Sequence, residues 1–189
     1  SLDALERDIR AREATIRDRD RELDRLRSRL ELLDRIWSEG EGLHAGVRAV
    51  LRAARSGQVE IPGLIGTVAE AIDVPAEVET AIETALGGHL QDIIVRRWSD
   101  AETAIEFLKR SGAGRARFQP LDTIRPYRPR ALDNGIPGLI DRAANLVTYA
   151  PEVEPVIGQV LGRTLVAEDL DAAHRIARKL DGWTIVTLQ

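Results

Sequence analysis

Two copies of one pentapeptide, Ile61-Pro-Gly-Leu-Ile65 and Ile136-Pro-Gly-Leu-Ile140, lie 75 residues apart and decide the fold. Further matches follow in the same order: Glu77-Val-Glu79 with Glu152-Val-Glu154, Leu86-Gly87 with Leu161-Gly162, Asp100-Ala101 with Asp171-Ala172, and Ile105 with Ile176. The last two matches are 71 residues apart, so we expect the second copy to be four residues shorter. Ordered matches indicate a duplicated unit, and two copies are too few for a solenoid. We therefore predict a pair of related subdomains.

Each copy is predicted to contain the same series of short strands and helices. A strand follows Pro-Gly, and a helix then begins after a proline and ends at Gly87 or Gly162, as proline and glycine favour. A second strand leads to a helix capped by Ser99 or Asp169, and a third strand closes the copy. The predicted strands are 64–68, 90–95 and 115–119, then 139–143, 164–167 and 184–188; the predicted helices are 76–86, 100–110, 152–161 and 170–179. This pattern predicts an α+β fold with two repeated α/β subdomains.

The N-terminal segment has a period of seven from residue 2 to residue 37. Its apolar seam consists of Leu2, Leu5, Ile9, Ile16, Leu23, Leu26, Leu30, Leu33 and Trp37. Arg12 and Arg19 interrupt this seam, and charged residues occupy most other positions. The pattern predicts a long coiled-coil helix that needs a partner helix to bury its seam. The alternative is a long amphipathic helix that lies on its own globular domain.

These patterns divide the chain into five parts. Gly40 and Gly42 end the N-terminal helix, and Pro126, Pro129 and Gly135 mark a linker between the copies. The predicted parts are a coiled-coil arm at 1–39, a docking helix at 43–57, subdomain I at 58–122, a linker at 123–135 and subdomain II at 136–189.

Composition excludes several classes of protein. The chain has 43% hydrophobic and 31% charged residues and no cysteine, which excludes disulfides and argues against a disordered chain. Its longest apolar runs are far below the ~18 residues of a membrane span, so we expect no membrane partner. The N-terminal residues alternate acids and bases, so we expect no secretory signal in this segment. The net charge of −4 argues against a uniformly basic nucleic-acid binder.

The charge is nevertheless unevenly distributed along the chain. Residues 56–95 hold seven acids and no lysine or arginine, whereas residues 96–130 hold nine bases and four acids. The arginines that could neutralise DNA phosphates are Arg96, Arg97, Arg115, Arg117, Arg125, Arg128 and Arg130. Arg115 and Arg117 would face one side of the predicted strand 115–119. The alternative is a solvated face whose arginines form salt bridges with the acidic segment.

The sequence indicates no catalytic, cofactor or metal site. Lys109 and Lys179 follow no glycine-rich phosphate loop, and no nucleophile-elbow motif occurs. His44, His89 and His174 stand in no metal-binding pattern, so we assign them surface or packing roles. Gly87-Gly88 and Gly112-Ala-Gly114 could cradle a phosphate, but helix termination and a turn explain them better.

Several segments together resemble the hinge of structural maintenance of chromosomes (SMC) proteins, particularly the bacterial type. These segments are Gly46-Val-Arg-Ala-Val-Leu51, Pro62-Gly-Leu-Ile-Gly-Thr-Val-Ala-Glu70, Ala85-Leu-Gly-Gly88, Leu90-Gln-Asp-Ile-Ile-Val95, Ala104-Ile-Glu-Phe-Leu-Lys109, Gly114-Arg-Ala-Arg-Phe-Gln-Pro-Leu-Asp122 and Leu161-Gly-Arg-Thr-Leu-Val-Ala-Glu-Asp-Leu-Asp-Ala-Ala173. They occur in the order of that family over about residues 43–188.

The resemblance implies a mechanical function rather than an enzymatic one. SMC proteins are rods with an ATPase head at one end and, at the other, a hinge that joins two chains and can contact DNA. The implied partners are a second copy of this chain in a homodimer, a returning coiled-coil helix, and DNA. The implied location is the cytoplasm, in association with the nucleoid. ATP binding would belong to the full-length protein only.

Four glycines are candidates for the dimer interface because glycine allows close approach of two backbones. They are Gly63, Gly66, Gly87 and Gly88. The alternative for each is a local turn. Family members continue after the last hinge strand with a glycine-rich stretch and a returning helix, which we expect another segment or another chain to supply.

Two other functions fit the sequence. The first is a nucleotide- or phosphate-binding enzyme domain with a regulatory coiled coil, which would need a pocket with convergent polar groups. The second is a non-chromosomal coiled-coil adaptor that uses the same fold to dock a partner.

Overall fold

The computed structural model describes residues 12, 16, 19–28, 44–125, 128, 131–132 and 135–188. The chain divides into two units, Ser1–Gly42 and Leu43–Gln189. In the first unit, residues 19–28 are helical, and the seam residues Ile16, Leu23 and Leu26 are 58%, 49% and 58% exposed. The seam residues Leu2, Leu5, Ile9, Leu30, Leu33 and Trp37 lie outside the described residues, so the coiled coil stays a prediction.

The second unit begins with helix α1 (Ala45–Arg55), which lies within the predicted docking segment. The apolar residues Val47, Val50 and Leu51 recur on one face of this helix and are buried. This face packs against helix α3 (Trp98–Ser111) of the first copy. The helix is therefore part of the core of the second unit.

The first copy forms a three-stranded sheet with helices around it. Its elements are β1 (Leu64–Thr67), β2 (Ile72–Asp73), α2 (Glu79–Leu86), β3 (Ile93–Val95), α3 and β4 (Phe118–Pro120), with 3₁₀ helices at Ala69–Ala71, Ala76–Val78 and Gly87–Gln91. The sheet order is β1-β3-β4; β1 is antiparallel to β3, and β3 is parallel to β4.

The second copy repeats this arrangement. Its elements are β5 (Leu139–Arg142), β6 (Thr148–Tyr149), α4 (Glu154–Leu161), β7 (Thr164–Ala167), α5 (Leu170–Lys179) and β8 (Thr184–Thr187), with 3₁₀ helices at Ala143–Asn145 and Pro151–Val153. The sheet order is β5-β7-β8, with the same strand directions as in the first copy. The predicted α+β fold of two repeated subdomains is confirmed.

Strand register corrects the predicted length difference between the copies. Leu64 pairs with Val95, and Leu139 pairs with Ala167, so the offset falls from 75 to 72. The second copy is therefore three residues shorter rather than four, and Asp100 corresponds to Ala172. Gly63 donates its N–H to Asp100 Oδ1 at 3.2 Å, and a Cβ on the equivalent Gly138 would meet Ala172, which supports this alignment.

The length difference falls between the second helix and the second strand of each copy. Gly87 and Gly162 both follow their helices directly and are still 75 residues apart. The first copy then forms the 3₁₀ helix Gly87–Gln91 before β3, whereas only Gly162 and Arg163 separate α4 from β7. The first copy therefore carries a three-residue insertion in this 3₁₀ segment.

Three element predictions are wrong in detail. Leu90 and Gln91 belong to the 3₁₀ helix and not to a strand. Residues 113–117 are irregular, and the strand predicted over 115–119 is confined to Phe118–Pro120. Helix α3 has Arg97 rather than Ser99 as its N-cap residue, and Asp100 accepts a hydrogen bond from the Arg97 N–H at 3.1 Å. The predicted cap of α5 is confirmed, because Asp169 accepts a hydrogen bond from the Ala172 N–H at 2.7 Å.

The two copies are joined by a short ribbon and a shared core. Strands β2 and β6 pair antiparallel with Asp73 opposite Thr148, and these two residues occupy equivalent positions 75 apart. A local two-fold axis therefore relates the copies at this pair. The shared core contains Val68, Ile82, Leu86 and Ile94 from the first copy and Val156, Ile157, Leu161, Val166 and Val186 from the second.

Each sheet also has a second buried face. Ile94 points into the shared core, whereas its neighbours Ile93 and Val95 pack with α1 and α3, because successive residues of a strand face opposite sides. In the second copy, Leu165 and Ala167 likewise pack with Ile176 of α5. Among the described residues, no helix is long and apolar enough to cross a membrane.

Candidate functional site

The predicted arginines line three separate grooves of the second unit rather than one groove. Arg96 and Arg97 border a groove of about 380 Å³ at the start of α3. Arg115 and Arg117 border a second groove of about 420 Å³. Arg125 and Arg128 border a third groove of about 660 Å³. Arg130 lies outside the described residues, and the DNA contact of this set stays a prediction.

Arg96 is engaged by an acid of the other copy. Its Nε donates to Glu152 Oε1 at 2.6 Å, and its Nη2 donates to Glu152 Oε2 at 3.2 Å. The hydrogen bond from Arg96 lowers the pKa of Glu152, and the same bond raises the pKa of Arg96. This bidentate pair bridges the copies, so part of the charge of Arg96 is already neutralised.

Arg115 and Arg117 lie in the irregular segment before β4, so the prediction that they share one strand face is wrong. The backbone of Arg115 lies so close to α1 that a Cβ on Gly46 would collide with it. Contact with the helix thus holds this segment as an irregular run before β4. The other residues that line this groove are His44, Val47, Gly88, Gln91, Asp92 and Ala116.

A polar cluster below this groove was missed by the sequence analysis. The side chain of Asp92 is only 2% exposed, and its Oδ2 accepts a hydrogen bond from Gln119 Nε2 at 2.7 Å. His89 Nδ1 lies 2.7 Å from the same oxygen, and Arg117 Nη1 lies 3.6 Å from Asp92 Oδ1. Asp92, His89, Arg117 and Gln119 are called the Asp92 cluster below. The spacing of these residues gave no motif, and only alignment of the two copies could have singled them out.

Whether His89 Nδ1 carries a proton determines which hydrogen bond it forms in this cluster. His89 Nδ1 lies within hydrogen-bond distance of an acceptor, Asp92, and of a donor, Arg117 Nη1 at 3.0 Å. When Nδ1 carries a proton it donates to Asp92, and when it does not it accepts from Arg117. The 2.7 Å separation from Asp92 Oδ2 fits the form in which Nδ1 carries the proton and donates to the buried carboxylate.

The third groove combines residues of both copies. Trp98 is 50% exposed, and its indole N–H donates to Glu102 Oε1 at 2.7 Å. Trp98 and the two arginines of this groove face Pro155 and Gln159 of α4. The equivalent contact between α2 and β8 is closed, because those two elements pack directly together.

The four candidate interface glycines fall into two pairs. Gly63 and Gly66 are buried, and a Cβ on either would meet a side chain of this chain, Asp100 or Glu70. Gly87 and Gly88 are exposed, and a Cβ on either would meet no atom within 4 Å. Packing inside the chain thus explains the first pair, while the second pair leaves room for another chain. The assignment of all four to a dimer interface stays a prediction.

No cluster of three or more histidine, cysteine or acidic side chains that could hold a metal ion occurs among the described residues. The polar groups of the Asp92 cluster bond to one another. Each of the three grooves has two arginines in its lining, and guanidinium groups suit contacts with anionic groups.

Comparison with known proteins places this geometry in a family. The family profile described as "SMC proteins Flexible Hinge Domain" matches residues 61–177. Among curated relatives, the Chromosome partition protein Smc of Halothermothrix orenii is 36% identical over 86% of this chain. The protein of the same name from Bacillus subtilis is 34% identical, also over 86% of this chain. This chain spans about 14% of the length of each of these relatives.

Solved structures give the same result. The crystal structure of an asymmetric dimer of the Geobacillus stearothermophilus SMC hinge domain matches 100% of this chain and 77% of its own, with 33% identity and a TM-score of 0.87. The Pyrococcus furiosus Smc hinge domain with an extended coiled coil matches 93% of this chain and 62% of its own, with 30% identity and a TM-score of 0.65. The chain therefore belongs to the family of SMC flexible hinge domains, which are dimerisation domains rather than catalytic ones.

Proposed function

We propose that this chain is the dimerisation hinge of a chromosome partition protein, where it joins two copies and their coiled-coil arms. The observation that carries the proposal is the match of the whole chain to a hinge domain that crystallised as a dimer, at a TM-score of 0.87. The full-length protein would be a nucleoid-associated ATPase whose head lies in another part of the polypeptide. A returning helix would cover the apolar seam that includes Leu23 and Leu26.

The mass of the chain in solution tests the dimer. Sedimentation equilibrium at tens of micromolar is expected to give twice the monomer mass of 20.9 kDa. The measurement is repeated with a longer piece that includes the glycine-rich stretch and the returning helix. A strict monomer in both samples would contradict the proposed hinge function.

DNA contact by the arginine-lined grooves is the second part of the proposal. It is supported by the position of six exposed arginines at three groove edges, where guanidinium groups can reach phosphates without reading sequence. The proposed contact predicts affinity for duplex DNA that falls steeply with salt, because phosphate contacts release counterions. Fluorescence anisotropy with a labelled duplex at two salt concentrations measures this, and affinity that is independent of salt would contradict it.

A pair of double variants distinguishes phosphate contacts at one groove from the effect of net charge. Arg125→Gln together with Arg128→Gln should weaken binding and reduce the salt slope by about two, because each phosphate contact contributes about one. Arg163→Gln together with Arg178→Gln removes the same charge from the second copy and should have a smaller effect. Equal losses in the two double variants would show that net charge, rather than this groove, determines binding.

A further inference from the structure

The Asp92 cluster is present in only one of the two copies. Strand register places Thr164 at the position of Asp92, since Ile93 corresponds to Leu165, and it places Thr184 and Val186 at the positions of Arg117 and Gln119. His89 has no counterpart, because it lies in the inserted 3₁₀ helix Gly87–Gln91. The second copy thus builds the same sheet with neutral side chains at the three cluster positions that have a counterpart.

This comparison separates what the fold needs from what it does not need. Thr164 and Val186 are buried, as Asp92 and Gln119 are, so neutral residues fit this site of the fold. A buried carboxylate is costly unless it is paired, and replacing a buried ion pair with neutral residues is often neutral or stabilising. The fold therefore does not require a charged cluster at this site.

The cluster links a buried carboxylate to side chains at the surface. Asp92 is buried, but the side chains that it holds are exposed at the groove: His89 is 42% exposed and Arg117 is 59% exposed. Gln119 Nε2 fixes the carboxylate from the side, at 2.7 Å. A long arginine side chain loses conformational entropy when it binds a phosphate, and a fixed carboxylate behind it removes part of that cost beforehand.

We propose that Asp92 is a positioning residue that holds Arg117 and His89 for contact with a backbone phosphate of duplex DNA, at a site that only the first copy has. This inference rests on the proposed DNA contact and adds a positioned phosphate contact at one of the three grooves, the one of about 420 Å³ that Arg115 and Arg117 border. Arg115 supplies a second guanidinium group at the same groove.

For substitutions of Asp92, an effect of net charge alone and a loss of positioning predict opposite changes in DNA affinity, so the two explanations can be distinguished. Removing Asp92 raises the net charge from −4 to −3, so long-range attraction to DNA should increase. If Asp92 positions Arg117, the same substitution should weaken binding. The variants are Asp92→Asn and the double variant Asp92→Thr with Gln119→Val, which carries the side chains of the second copy. Glu168→Gln is the charge-matched control.

The experiment measures duplex affinity at two salt concentrations, along with the thermal midpoint. Asp92→Asn and the double variant should bind about five- to tenfold more weakly than the wild type with a salt slope reduced by about one, as the loss of one charge-assisted contact requires. The double variant should melt no earlier than the wild type. Glu168→Gln should bind as tightly as the wild type or more tightly.

A double-mutant cycle shows whether Asp92 acts through Arg117. Arg117→Gln should weaken binding to the same degree, and Asp92→Asn combined with Arg117→Gln should be no weaker than Arg117→Gln alone. If the Asp92 variants bind as tightly as the wild type or more tightly, the positioning role is overturned. If Arg117→Gln has no effect while Arg125→Gln with Arg128→Gln weakens binding, the site is wrong but the proposed DNA contact stands. If the wild type binds no duplex, the proposed contact fails, and this inference fails with it.

Discussion

At the scale of single residues, the most informative positions are those where the two copies differ. Gly63 has a counterpart in Gly138, and both lie where a Cβ would collide with the neighbouring helix. Asp92, His89 and Arg117 have no charged counterpart. Residues shared by the copies therefore report on the fold, whereas the three charged or titratable side chains found in one copy are candidates for a role of that copy alone.

Gly46 allows the close approach of α1 to the segment that carries Arg115. Gly46→Ala should destabilise the second unit by about 1–3 kcal/mol, because the new Cβ would collide with the Arg115 backbone, which cannot move aside as a side chain could. Gly88→Ala is the control, since a Cβ there meets no atom within 4 Å and should change stability by about 0.5 kcal/mol or less. Urea denaturation measures both changes, and equal midpoints for the two variants would contradict the assigned contact.

The Arg96–Glu152 pair predicts a specific dependence on pH. The pKa of Glu152 lies below its ordinary value of 4.5, so the pair stabilises the fold above that value and loses its effect as pH falls through the lowered pKa. Glu152→Gln should therefore unfold at a lower urea concentration than the wild type at about pH 7, and this difference should shrink as the pH is lowered through the pKa of Glu152. Glu154→Gln is the control on the same stretch of chain. A difference that persists undiminished at the lower pH would exclude the ion pair as its cause.

At the scale of elements, the duplicated pattern was well predicted from the sequence, because the pattern occurs twice and glycine and proline mark the ends of its elements. Pro-Gly and the glycines after α2 and α4 mark boundaries that both copies confirm. The failures lie where tertiary contacts decide the backbone. A strand was predicted over 90–95, yet Leu90 and Gln91 are the last residues of the 3₁₀ helix Gly87–Gln91, and only Ile93–Val95 forms β3. The strand predicted at residue 115 begins at Phe118, because the preceding residues pack on α1.

The aspartates that accept backbone hydrogen bonds at the N-termini of α3 and α5 allow a matched comparison. Asp169→Ala should cost about 1 kcal/mol, because it removes one exposed cap from α5. Asp100→Ala should cost about 2–4 kcal/mol, because Asp100 is buried and accepts from the N–H groups of both Gly63 and Arg97. Chemical denaturation of the two variants measures the difference. A smaller loss for Asp100→Ala than for Asp169→Ala would show that these N–H groups find other partners.

At the scale of the whole molecule, the copies share one core, so we expect them to unfold together. Trp98 reports on the first copy and Trp183 on the second. Single-tryptophan variants that keep one or the other, with phenylalanine at the remaining positions, should give coincident urea transitions. Ile157→Ala, at the centre of the shared core, should shift both transitions by the same amount, about 2–4 kcal/mol. If Trp183 alone reports the shift, the copies unfold independently.

The ribbon of β2 and β6 has a consequence for the covalent connection between the copies. The two halves meet through this ribbon, the shared core and the Arg96–Glu152 pair, and none of these contacts depends on an unbroken peptide chain between Arg125 and Gly135. Two fragments that divide the chain in that interval, when produced separately and mixed, should therefore associate and fold together. For the same reason, the protein should tolerate a chain break or an inserted segment between Arg125 and Gly135.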